Sequence, residues 1–118
     1  MNLDHAVAAH AEWKIKLRTA IETGETLDAA SIRADNCCEL GRWLHGDARR
    51  LLGTRPAYQE SVQRHADFHR EAGRVAEVIN RRQADEARAM LESGGAYAAA
   101  SSAVGLALTR LKREMAQA

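Results

Sequence analysis

The stretch YQESVQRHADFHREAGRVAEVI, Tyr58 to Ile79, decides the fold. Its core-type positions are Tyr58, Val62, His65, His69, Ala72, Ala76 and Ile79, in steps that alternate between four and three. That spacing predicts an amphipathic α-helix with one buried stripe. Two of the seven positions are histidines four residues apart, so both imidazoles leave the same face, one above the other. A histidine on a buried stripe needs a hydrogen-bond partner or a metal. Two neutral imidazoles so placed can grip one transition-metal ion. Thr54-Arg55-Pro56 opens this helix, with Pro56 in the first turn, where a missing N–H costs nothing. The helix is expected to run to about Arg82, roughly 40 Å at 1.5 Å per residue.

Working outward, Leu3, Val7, His10, Trp13, Leu17 and Ile21 form a second helical stripe over Leu3 to Thr23, ended by Gly24. His10 lies on its inner side. A short helix is expected from Asp28, as cap, to Asp35. Asn36-Cys37-Cys38-Glu39 reads as a capping box, with Asn36 as N-cap of another short helix that Gly46 ends. Gly41 inside that helix costs stability and points to close backbone contact with a neighbour. A segment from Ala84 to Glu92 follows the long helix, and Gly94-Gly95 is a turn. The last helix, about Ala96 to Met115, has the stripe Tyr97, Ser101, Val104, Leu108, Leu111, Met115. Amphipathic segments joined by short connections imply an all-α fold, an antiparallel four-helix bundle with short extra helices in the crossover. Ile15 and Leu106 fall off their stripes, and this extra apolar surface suggests a homodimer.

The 118 residues suit one domain, 1–118, with a core large enough to fold without a metal. The chain is 46% hydrophobic with one Pro and a net charge of +1, both signs interspersed. Nothing in it resembles a nucleic-acid-binding basic patch, and the apolar runs are too short to cross a bilayer. The start, Met-Asn-Leu-Asp-His, lacks a basic n-region and an apolar signal core, so a cytoplasmic protein is expected. Cys37 and Cys38 are the only cysteines, and neighbours in sequence rarely pair. Beside several histidines they suggest metal or redox chemistry.

The inward-facing donors are His10, Cys38, His65 and His69. Three imidazoles and one thiolate would close a tetrahedral Zn2+ shell, with no position left for an obligatory water. Cys38, near a helix N-terminus, is expected to have a lowered pKa that favours the thiolate. Cys37 points about 100° away on a helix and is read as a small buried hydrophobe. His5 and His45 are read as surface or cap residues, and Trp13 and Trp43 as core residues flanking the site. Asp35 is read as an exposed turn residue that could otherwise orient a ligand imidazole. A zinc hydrolase with three histidines and a water would need Cys38 off the metal and a base, and no Glu stands between His65 and His69. A di-iron bundle needs inward Glu-x-x-His pairs, which the inner stripes lack.

His10-Ala-Glu-Trp13-Lys14, Cys38-Glu-Leu40-Gly41-Arg-Trp43-Leu44 and His65-Ala-Asp-Phe68-His69 occur in that order. Together they resemble the motifs of the chemoreceptor zinc-binding (CZB) domain family over nearly the whole chain. Carried over residue by residue, the family's zinc ligands fall on His10, Cys38, His65 and His69. The resemblance implies a small helical bundle that tends to dimerise and acts as a non-catalytic, cytoplasmic regulatory module in bacteria. Such modules occur in soluble chemoreceptors, beside diguanylate cyclase domains, or free-standing. They convey zinc, or oxidation of its thiolate by hypochlorite or peroxide, to a signalling partner. The Met start, with no receptor coiled coil or cyclase segment, favours a free-standing protein.

Overall fold

The computed structural model describes residues 1–117, and every regular element among them is helical. Asn2 caps α1 (Leu3–Ala11) by accepting the His5 N–H at 2.9 Å. α2 (Trp13–Thr23) continues it and stops at Gly24, whose φ of 73° is the left-handed conformation suited to a helix end. The helix expected over Leu3–Thr23 is therefore present but interrupted at Glu12, whose backbone stays helical (φ −67°, ψ −19°). The Ile15 N–H reaches the Glu12 carbonyl, a tighter i+3 bond at the join.

Asp28 caps α3 (Ala29–Arg33), as expected, through both the Ser31 N–H and its hydroxyl. The capping box at Asn36 is not formed. Cys38 itself is the N-cap of α4 (Glu39–His45), and its sulfur accepts the Gly41 N–H at 3.3 Å. Gly46 ends α4 and leads directly into α5 (Asp47–Leu52), an element the periodicity did not reveal. α6 (Pro56–Asn80) is the long helix, with Pro56 in its first turn. α7 (Ala84–Met90) and α8 (Ala96–Gln117) complete the chain, with Gly94 at φ 91° in the turn between them.

α6 is the axis of the molecule. It packs against α8 and α3 most extensively, and also against α2, α4, α5 and α7, while α1 lies along α8. All of its expected stripe is buried except Val62, which is half-buried. A second buried stripe, Ser61, Phe68 and Val75, was not expected, and neither was burial at Glu71 and Gly73. α3 accounts for the close approach at Gly73, where a Cβ would lie 2.7 Å from the Arg33 Cβ. The core includes the fully buried Phe68, Leu17, Leu44, Leu91, Leu108 and Leu111. On α8 the stripe holds at Tyr97, Val104, Leu108 and Leu111 but not at Met115, which is exposed. Ile15 and Leu106 are exposed, as their positions off the stripes imply.

Candidate metal centre

α1, α4 and α6 meet where His10, in the last turn of α1, faces Cys38 at the start of α4 and His65 and His69 in mid-α6. One donor atom from each of the four lies within 4.8 Å of all the others, the only such group of three or more His, Cys, Asp or Glu among the described residues. The Cys38 sulfur stands 3.3 Å from His65 Nε2, 3.6 Å from His69 Nε2 and 3.9 Å from His10 Nε2. A tetrahedral zinc shell with ordinary bond lengths would place sulfur and nitrogen about 3.5 Å apart. The observed separations bracket that value. The helical i, i+4 relation brings the His65 and His69 rings to 4.4 Å between centroids.

The other ring nitrogen fixes the tautomer in two of the three histidines. His10 Nδ1 is 2.7 Å from the Ala6 carbonyl, and His69 Nδ1 is 2.7 Å from the Ile32 carbonyl. A carbonyl oxygen only accepts, so each Nδ1 must carry the proton. In the neutral ring, Nε2 is then a bare lone pair aimed at the common centre. A thiol has a single proton to offer, too few for these converging acceptors. A cation satisfies them all at once. His65 Nδ1 is buried without a partner, so no hydrogen bond from that nitrogen orients the ring.

Burial pushes all three histidines below the usual imidazole range. For His10 the Ala6 carbonyl works against it, and for His69 the Ile32 carbonyl does. His65, hemmed in by burial and then by His69 and His10, falls to about 2. All three are therefore neutral at pH 7, the form that ligates metal. Cys38 departs from expectation. Burial raises its thiol pKa, outweighing the Gly41 N–H and the other backbone donors of the helix start. The helix N-terminus alone does not produce a thiolate here; a bound metal would.

Phe68 walls the cluster, with its ring 5.3 Å from that of His10 and 5.6 Å from that of His69. Gly41 is required by the close contact expected of it: a Cβ there would fall 1.9 Å from the Asp35 carbonyl oxygen. Trp13 and Trp43 are half-buried against the core, and His5 and His45 are exposed. Asp35 meets His45 at 3.0 Å rather than a ring of the cluster. Cys37 is exposed, contrary to the buried role expected of it, because residues 34–38 form no helix that could turn it inward. The carbonyls of Ala6 and Ile32 were not foreseen, although Ala6 precedes His10 by one helical turn.

The sequence model of the chemoreceptor zinc-binding domain matches residues 10–76, more than half of the chain and all four clustered residues. The chain belongs to the chemoreceptor zinc-binding domain family. No curated protein and no solved structure matches it. Zinc is thus the ion for this CZB domain, and the three-histidine, one-cysteine cluster is chemically suited to hold it. The family is one of signalling domains rather than a catalytic one. No helix among the described residues is long and apolar enough to cross a membrane.

Proposed function

We propose that this CZB domain is a zinc-binding sensory module of bacterial signal transduction, in chemotaxis or cyclic-di-GMP signalling, with His10, Cys38, His65 and His69 as the zinc ligands. The observation that carries the reading is the convergence of three imidazoles and one sulfur, with two of the Nδ1–H groups already committed to carbonyls. Zinc would supply the positive charge that joins α1, α4 and α6. Its loss would loosen that junction and alter the surface offered to a partner, provided one conformation binds zinc better than the other. Residues 1–118 act as one domain, with α1–α2, α6, α7 and α8 as the legs of an antiparallel four-helix bundle and α3–α5 in the crossover. The module works in the cytoplasm without catalysis. The exposed Ile15 and Leu106 are consistent with a homodimer that reports to a chemoreceptor or a diguanylate cyclase.

A redox role shares the site. Cys38 is half-buried where the three clustered histidines are buried, and a zinc-bound thiolate remains open to oxidation by peroxide or hypochlorite. Metal analysis tests the main reading. Wild-type protein should carry one zinc per chain, and Cys38→Ala should lower the affinity at least tenfold. Zinc-free wild-type protein after exposure to the ion, or a Cys38→Ala variant with unchanged affinity, would refute it.

A further inference from the structure

α3 meets α6 at three residues spaced four apart on one face, His69, Gly73 and Glu77. The Ile32 carbonyl accepts from His69 Nδ1 at 2.7 Å, Arg33 passes over Gly73, and the Arg33 guanidinium pairs with Glu77. The middle contact is the tightest. A Cβ on Gly73 would lie 2.7 Å from the Arg33 Cβ, 3.0 Å from its Cα and 3.3 Å from its Cγ. The Arg33 Cα and Cβ move only with the backbone, so a side chain at residue 73 would lift α3. Restoring ordinary contact at 3.4 Å takes a shift of about 0.7 Å, the difference between 3.4 and 2.7 Å. Carried to the neighbouring Ile32 carbonyl, a shift of that size away from α6 would stretch the bond to His69 from 2.7 Å to about 3.4 Å. That lies beyond the usual N–H···O range of about 2.7–3.2 Å. Glycine in mid-helix is otherwise a cost, and helix stability alone favours alanine there.

We propose that Gly73 is a positioning residue of the zinc centre. By carrying no side chain it lets α3 sit low enough on α6 for the Ile32 carbonyl to hold the His69 ring with Nε2 turned toward the other donors. The inference rests on the zinc reading and adds to it a residue outside the four ligands and outside all three motifs. Losing a group that orients a ligand typically weakens metal binding by about 10- to 100-fold, so a stretched bond should register in affinity. His10 supplies an internal reference. Its carbonyl partner, Ala6, belongs to the same helix, so that bond does not depend on where α3 sits.

The test uses the full chain. In chelator competition Gly73→Ala should bind zinc at least fivefold more weakly than wild type, with helix content equal or higher. In nitrogen-15 spectra of the zinc-loaded protein, the His69 Nδ1 proton should exchange with water at least tenfold faster in Gly73→Ala than in wild type, while the His10 Nδ1 proton is unchanged. An Arg33→Gly background lacks two of the three atoms that the new methyl would strike, so Gly73→Ala should cost less affinity there. A loss below fivefold, or an equal loss in both backgrounds, overturns the proposal. So does equal acceleration at His69 and His10, the mark of general loosening. A wild-type His69 Nδ1 proton that exchanges as fast as that of the exposed His5 overturns it even if the variant fails to fold. A wild-type chain that takes up no zinc refutes the zinc reading itself, and this proposal with it.

Discussion

Gly41→Ala concentrates the argument in one methyl group. The added Cβ would sit 1.9 Å from the Asp35 carbonyl oxygen, 2.8 Å from its carbon and 3.1 Å from the Asn36 Cα. Ordinary contact begins at 3.4 Å, so restoring it would separate the loop and α4 by about 1.5 Å, the difference between 3.4 and 1.9 Å. The opposing atoms are backbone and cannot rotate aside. Overpacking of this kind costs about 1–3 kcal/mol. The loop that moves leads into Cys38, and the Gly41 N–H that moves with α4 is the one its sulfur accepts. Zinc–ligand distances stay within about 0.2 Å of their ordinary values, so the bond itself cannot absorb a shift of this size. The variant should therefore lose zinc affinity by about 10- to 100-fold, the usual effect of removing a group that orients a ligand. Chelator competition measures this. Cobalt substitution adds a specific signature, because a thiolate ligand gives a charge-transfer band that imidazoles do not. A Gly41→Ala protein that binds zinc within threefold of wild type and keeps the full thiolate–cobalt band would refute the reasoning.

Three further outcomes follow from the same geometry. The histidines have lowered pKa values in the folded chain, so their contribution to stability is present above about pH 6.5 and is lost as pH falls below it. Each histidine that charges only on unfolding contributes a slope of about 1.4 kcal/mol per pH unit; His65, neutral down to about 2 when folded, should act this way throughout the range. Urea titrations of metal-free protein at pH 7.5 and 5.5 should show the loss, and equal stability at both would contradict it. Phe68→Ala should destabilise the domain by about 3–5 kcal/mol and weaken zinc binding, because the fully buried ring packs against His10 and His69. Thermal melts with and without zinc separate the two effects. Cys37→Ser should leave zinc stoichiometry and affinity as they are, since that thiol is exposed and outside the cluster; a measurable loss of zinc would return Cys37 to the site.

The helices were legible because apolar residues at steps of three and four reveal one buried face, and Pro56, Gly24, Asp28 and Gly94-Gly95 punctuate them. What periodicity could not supply was contact between distant segments. Gly73 is buried off the expected stripe of α6, and nothing local announces that α3 crosses there. The break at Glu12 and the short α5 were hidden for a similar reason: neither changes the hydrophobic period. Cys38 displaced Asn36 as a helix cap because sulfur can accept the Gly41 N–H, a role usually filled by an oxygen. The four donors were readable from faces and motifs together. Their orienting carbonyls at Ala6 and Ile32 were not, since a backbone oxygen leaves no mark on the sequence. The direction of the Cys38 shift reversed because burial, a tertiary property, outweighs the helix start.

Zinc K-edge X-ray absorption of the zinc-loaded chain bears most directly on the ligand set. A shell of one sulfur at about 2.3 Å and three imidazole nitrogens at about 2.0–2.1 Å is the predicted result. A shell without sulfur, or one dominated by water and carboxylate oxygens, would contradict the account.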